Sequence, residues 1–172
     1  YSSVSSGYKH QNLKPASPSA NQRIEAEGAY TLKSDQTLVS LNDRTSPSVK
    51  PYNVNLVRYN SIGAGQWQVV GQWLEWSVDI PESGLYQIGA HYKQNIKTNA
   101  SSMRELTIDG KLPFSETASI AFPYSGRWQT NAFSDKNGKP YIFYLEKRKK
   151  SAVAAGRFVF LFPRYSSSGG RC

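Results

Sequence analysis

Residues 73–80 read Trp73-Leu74-Glu75-Trp76-Ser77-Val78-Asp79-Ile80. Leu74, Trp76, Val78 and Ile80 alternate with Glu75, Ser77 and Asp79, the two-residue period of a strand with one buried and one wet face. Pro81-Glu82-Ser83-Gly84 supplies turn formers, and Tyr86, Ile88, Ala90 and Tyr92 alternate again beyond it. Two alternating runs across a Gly-containing turn predict an antiparallel hairpin. Its expected core is Leu74, Trp76, Val78, Ile80, Tyr86, Ile88 and Ala90, with Trp73 on the opposite face from Trp76.

Outward from the hairpin the same period recurs. Met103 to Asp109 alternates and ends in the turn dipeptide Asp109-Gly110, while Trp128–Phe133 and Tyr141–Leu145 flank Asn137-Gly138. Residues 54–60 read as a further strand, broken by Ser61-Ile62-Gly63-Ala64-Gly65, and Ser34 to Pro51 reads as a long loop. Short strands at this spacing, with no helical period and no internal repeat, predict an all-β fold: an antiparallel β-sandwich. Structure is expected to start at Arg23-Ile24-Glu25-Ala26-Glu27. Residues 1–22 carry scattered Ser with Pro15 and Pro18 and no apolar period, and read as a linker. The expected organisation is therefore a linker over 1–22, a sandwich over 23–150 and an atypical tail over 151–172.

Composition narrows the function. The 172 residues are 13% aromatic, with four Trp, eleven Tyr and seven Phe, but hold a single Met. That balance argues for β structure and against a helical bundle. No apolar run is long enough for a membrane-spanning helix. The net charge of +9 points toward nucleic acid until its position is considered. All 12 acidic residues lie between Glu25 and Glu146, and that stretch holds 11 basic ones. The excess cations sit in the flanks, so a folded phosphate-binding face is not expected. Lys147-Arg148-Lys149-Lys150 reads as a charged turn rather than a nucleic-acid patch. The lone Cys172 forms no internal disulfide.

Catalytic patterns are sparse. Only His10 and His91 are present, and no zinc pair, phosphate-cradling glycine loop or nucleophile elbow occurs. A glycosidase needs only two suitably spaced carboxylates, but the acids sit mostly at turns and strand ends. Asn99-Ala100-Ser101 matches a glycosylation sequon, a pattern too short to carry weight. Aromatic rings on loops, interleaved with amides and guanidinium groups, suit a sugar, which presents apolar faces and hydroxyls. Trp67, Trp128, Tyr52 and Tyr124 are the candidate platforms, with Arg58, Asn60, Gln66, Asn95 and Arg127 as polar partners. The competing reading places such aromatics in the core. Glu25 and Glu27, two residues apart, share one face if this segment is a strand.

Ile24-Glu25-Ala26-Glu27 and the run Gly71-Gln72-Trp73 through Leu85-Tyr86 resemble the opening and the central hairpin of family 6 and family 35 carbohydrate-binding modules. The resemblance extends over roughly residues 23–146. A second resemblance is to an accessory module in extracellular solute-binding lipoproteins of Gram-positive sugar ABC importers. It rests on Ser34-Asp35, Asp43 to Pro47, Pro51-Tyr52, Gly71-Gln72-Trp73, Ile108 to Phe114 and Tyr141 to Glu146, in that order. It implies a galactose-binding-like β-jelly roll without catalysis of its own. The implied setting is bacterial and extracellular or at the cell surface. The implied partners are an oligo- or polysaccharide and the rest of a parent polypeptide. A ligand-free structural accessory domain is the alternative. The resemblance also implies that Glu25 and Glu27 hold a structural Ca²⁺, against a plain solvated or ion-paired couple.

The end of the chain departs from these modules. Arg148 stands where they turn on a glycine, and Ser151 to Phe160 replaces the implied last strand. For Ala154 to Val159 a codon choice exists in which a one-base slip restores Arg-Leu-Asp-Val-Ser, the implied strand type. The expectation is a frame slip near Val153. It leaves 154–172 as non-native sequence, with Phe158 to Phe162 paired at most as a poorly registered edge strand. The nucleotide sequence of the gene tests this.

Overall fold

The two alternating runs form the spine of the molecule. The computed structural model describes residues 13–34, 36–42, 61–62, 67, 70–96, 98–155 and 160–163. The first strands are β1 (Gln22–Arg23), β2 (Tyr30–Lys33), β3 (Ser40–Leu41) and β4 (Ser61–Ile62), with one helical turn, α1 (Ala26–Ala29). The two runs are β5 (Leu74–Ile80) and β6 (Gly84–Gln94). After them come β7 (Ser102–Arg104), β8 (Leu106–Ile108), β9 (Ile120–Phe122), β10 (Ser125–Ala132), β11 (Phe143–Leu145), β12 (Arg148–Ala155) and β13 (Phe160–Pro163).

One sheet runs β1-β13-β6-β10, with β11 also on β6; the other runs β2-β5-β12-β8. Their ladders are antiparallel, and the small pairs β3–β4 and β7–β9 complete the described strands. β5 and β6 lie in opposite sheets and do not pair, so the expected antiparallel hairpin is corrected: residues 81–83 carry the chain across a β-jelly-roll sandwich. All seven expected core residues are buried, joined by Leu106, Phe122, Phe133 and Phe143. Each large side chain so buried contributes about 1.5–3 kcal/mol. Trp76 donates its indole N–H to the Ala26 carbonyl at 3.0 Å, so its one polar atom is satisfied within the core. Trp73 is partly exposed, as its place opposite Trp76 requires.

Several expectations are corrected. Residues 26–29 are a helical turn, with the Gly28 N–H on the Glu25 carbonyl, so Glu25 and Glu27 do not share a strand face. The run 103–109 divides at Glu105 into β7 and β8, which pair with different partners, β9 and β12. Asp109-Gly110 is a two-residue turn at positive φ, closed by reciprocal bonds between Ile108 and Lys111. Ser61-Ile62, expected as a break, is β4; residues 54–60 lie outside the described residues.

Both ends reach further into the fold than composition implies. Lys14–Ala16 runs as a strap along the start of β6, with Leu85 N–H on Lys14 O at 3.0 Å and Ala16 N–H on Leu85 O at 3.3 Å. Ser17 donates its N–H and hydroxyl to the Glu82 carboxylate, which lowers that carboxyl's pKa, and Ala16 and Ala20 are buried. β12 runs through residue 150 to Ala155 between β5 and β8, and Val153 registers with both Trp76 and Ile108. β13 is interior, between β1 and β6, and not an edge strand. Backbone groups of the neighbouring strands need partners whatever side chains the pairing segment brings. Phe158 and Val159 lie outside the described residues.

Candidate functional site

β10 is the terminal strand of its sheet, and its two faces do different things. Gln129 registers with Tyr92 and Asn131 with Ala90, so these amides share the core-side face. Thr130 registers with His91 on the outer face, where the Thr130 hydroxyl lies 2.7 Å from His91 Nδ1. Trp128, partly buried and packed against the edge of the core cluster, lies on the His91 side of the strand and stacks on that imidazole, with ring centroids 5.1 Å apart and planes inclined by 15°. A bulge between Ser125 and Gln129 turns the strand just there, which aims Trp128 over the imidazole. Burial, then the Arg23 charge, lower the His91 pKa while Glu25 opposes them. The imidazole is therefore neutral at pH 7, and His91 Nε2 is buried without a hydrogen-bond partner.

The rim at this end of the sheet gathers other candidates. Ser125 registers with Gln94, which brings Tyr124 and Asn95 to the same end as Trp128. Tyr124 is 42% exposed and Asn95 is exposed. Arg127, next to Trp128, is exposed too. Tyr52, Arg58, Asn60 and Gln66 lie outside the described residues. Trp67 is corrected: it is 4% exposed and packs with the core rather than on a rim. Its indole N–H donates to Gln72 O at 3.2 Å, and the Arg104 guanidinium lies over its ring while bonding its carbonyl at 2.8 Å. The glycine-rich stretch before Trp67 gives no signal of that burial.

Glu25 and Glu27 diverge in role. Glu25 is half-exposed and ion-paired to Arg23 at 2.9 Å. Glu27 is 6% exposed, and its Oε2 has no partner. Burial is the main cause that raises the Glu27 pKa to about 6. An orphaned carboxylate oxygen suits a cation, but calcium takes six to eight oxygens. Among the described residues no group of three or more His, Cys, Asp or Glu stands together to start such a shell. The described donors do not fit the ion. With a folded-state pKa above 4.5, protonated Glu27 stabilises the fold at low pH, and that contribution is lost as pH rises through about 6. Glu27→Gln is therefore expected to raise stability at pH 7 by about 2 kcal/mol, with the gain vanishing near pH 4.5. Urea unfolding of parent and variant at both pH values measures it. A calcium-dependent loss of stability in the variant would overturn the assignment and give the orphaned oxygen to a cation.

Comparison with known proteins supports the architecture. No protein-family model matches the chain, and no curated protein matches it. Among solved structures, it is similar to a family 35 carbohydrate binding module from Clostridium thermocellum, with TM-score 0.52 and 19% identity over 85% of this chain and 96% of that one. It is also similar to the Podospora anserina GH26-CBM35 β-(1,4)-mannanase, with TM-score 0.55 and 9% identity. That match covers 86% of this chain and 28% of the mannanase. The class is thus a jelly-roll β-sandwich of the kind seen in family 35 carbohydrate-binding modules. At these identities the likeness speaks to fold, and function has to be argued from the site.

Proposed function

We propose that the chain is a non-catalytic carbohydrate-binding module that takes an oligo- or polysaccharide on the Trp128 face. The observation that carries this reading is the Trp128–His91 stack beside the exposed Tyr124 and Asn95. The Trp128 ring is braced from behind by a neutral imidazole, so it is a rigid platform with little entropy left to lose on binding. A pyranose face packs on such a ring, and Asn95 and the Tyr124 hydroxyl supply donors and acceptors for its hydroxyls. The module is part of a larger extracellular or cell-surface bacterial protein that processes polysaccharide or captures sugar for import. No nucleic acid is expected on it: Arg148, in the basic run, bonds Asp109 at 2.6 Å. No helix among the described residues is long and apolar enough to cross a membrane.

Titration of tryptophan fluorescence with xylan, galactan, mannan and glucan oligosaccharides tests the reading. Binding is expected in the millimolar range for at least one, about −4 kcal/mol. Trp128→Ala should weaken it by at least about tenfold. Binding that survives Trp128→Ala undiminished removes that face from the site. The buried Trp67 favours the second reading, a ligand-free accessory domain, because the expected two-tryptophan rim has only one of its members. Absence of binding by the parent at millimolar oligosaccharide would leave that second reading standing.

A further inference from the structure

β10 and β11 pair with the same side of β6, β10 along residues 89–94 and β11 along 84–86, so they lie on one strand line. Between them the chain leaves the sheet. Phe133 N–H closes the ladder on Ile88 O at 2.8 Å, Tyr141 N–H bonds Phe133 O at 2.8 Å, and Ser134 bridges Pro140. The tip of this excursion is tied by Asp135, whose Oδ1 accepts the N–H groups of Asn137 at 2.8 Å and Lys139 at 2.9 Å. Between the excursion and β9 lies an open groove of about 810 Å³, within the usual range of roughly 300–1,000 Å³ for ligand clefts.

Tyr92, Phe122 and Phe133, all buried, form the floor of this groove as an edge-to-face aromatic cluster of the core, with centroids 4.8 and 5.7 Å apart. Asn131 donates to the Tyr92 hydroxyl at 3.3 Å at the mouth. Tyr141, half-buried, lines the groove with Glu116 and Asp135, and both carboxylates reinforce the effect of burial in keeping its phenol protonated. Lys136 is the single cation among the lining residues. Carboxylates accept but do not donate hydrogen bonds, so the groove calls for a ligand rich in hydroxyl donors. The two negative charges against one positive disfavour an anionic one.

We infer that this groove is a second saccharide site, on the opposite face of β10 from Trp128, for the uncharged pyranose units of a glycan chain. The inference rests on the carbohydrate-binding reading and deepens it. One strand carries both sites, Trp128 on the His91 side and Asn131 on the Tyr92 side, so a chain passing over the sheet edge meets two surfaces held in fixed relation.

The test is amide chemical-shift mapping of the whole chain with mannohexaose, xylohexaose and cellohexaose, and trigalacturonate as the anionic control. At least one neutral oligosaccharide should shift the signals of residues 131–141, in Trp128→Ala as in the parent, and trigalacturonate should not. Asp135→Asn keeps the oxygen that caps the turn but removes the charge, and should weaken binding in the groove by about tenfold. Ser119→Trp, at an exposed groove position, should block it without touching the Trp128 face. Shifts confined to residues 91 and 124–128 and lost in Trp128→Ala would overturn the groove site and leave the module reading intact. No shift anywhere at about 10 mM of any oligosaccharide would overturn both.

Discussion

Trp67→Ala is expected to destabilise the fold by about 3–5 kcal/mol, the cost of emptying a buried indole site. The substitution removes more than apolar area. The Gln72 carbonyl loses its indole N–H donor, and Arg104 loses the ring beneath its guanidinium while still bonding the residue-67 carbonyl. Burial already lowers the Arg104 pKa, so its charge sits in surroundings that solvate it poorly. A two-state domain of this size gives up a large share of its stability to such a change. Chemical denaturation measures the loss. A variant with the parent's midpoint would return Trp67 to the surface and to the ligand-binding candidates.

The second large effect belongs to Gly89. A Cβ built there would stand 2.6 Å from the Asn131 carbonyl oxygen and 3.0 Å from the Ala132 Cα. Both are backbone atoms of β10, so relief requires moving the strand. On its other side Gly89 registers with Phe160 of β13, which limits retreat. Gly89→Ala is expected to cost about 1–3 kcal/mol, as overpacking does. The loss should be concentrated in β10, read as hydrogen exchange accelerating in residues 125–132 more than in β5. Because β10 carries both Trp128 and Asn131, any affinity at the two proposed saccharide sites should fall with it. Unchanged protection of β10 would show that the sheet absorbs a methyl there.

What could be read in advance follows from how local each signal is. β5 and β6 were legible because alternation writes burial into adjacent residues, and every expected core position in them is buried. The Asp109-Gly110 turn was legible for the same reason. β12 and β13 were not: their pairing is decided by partners at residues 75–80, 86–89 and 106–108. Serine and proline in the segment ahead of Asn21 hid the strap, whose contacts are backbone bonds to Leu85 that composition does not record. Of the candidate site, Trp128, Tyr124 and Asn95 were named from residue type and loop position. Their shared end, the His91 brace and the groove emerge only from register across β6. Trp67 was misplaced because a loop tryptophan looks the same whether the loop folds inward or outward.

The strap on Leu85 also gives the module a polarity. Pro163, the last described residue of β13, registers with Tyr86, beside the same end of β6. Trp128 lies near the far end, where Ser125 registers with Gln94. Nine residue-to-residue steps of extended strand separate Leu85 from Gln94, about 30 Å at the usual rise. Lys14 and Pro163 therefore both lie at the Leu85–Tyr86 end of β6, the opposite end of the strand from Gln94 and Ser125.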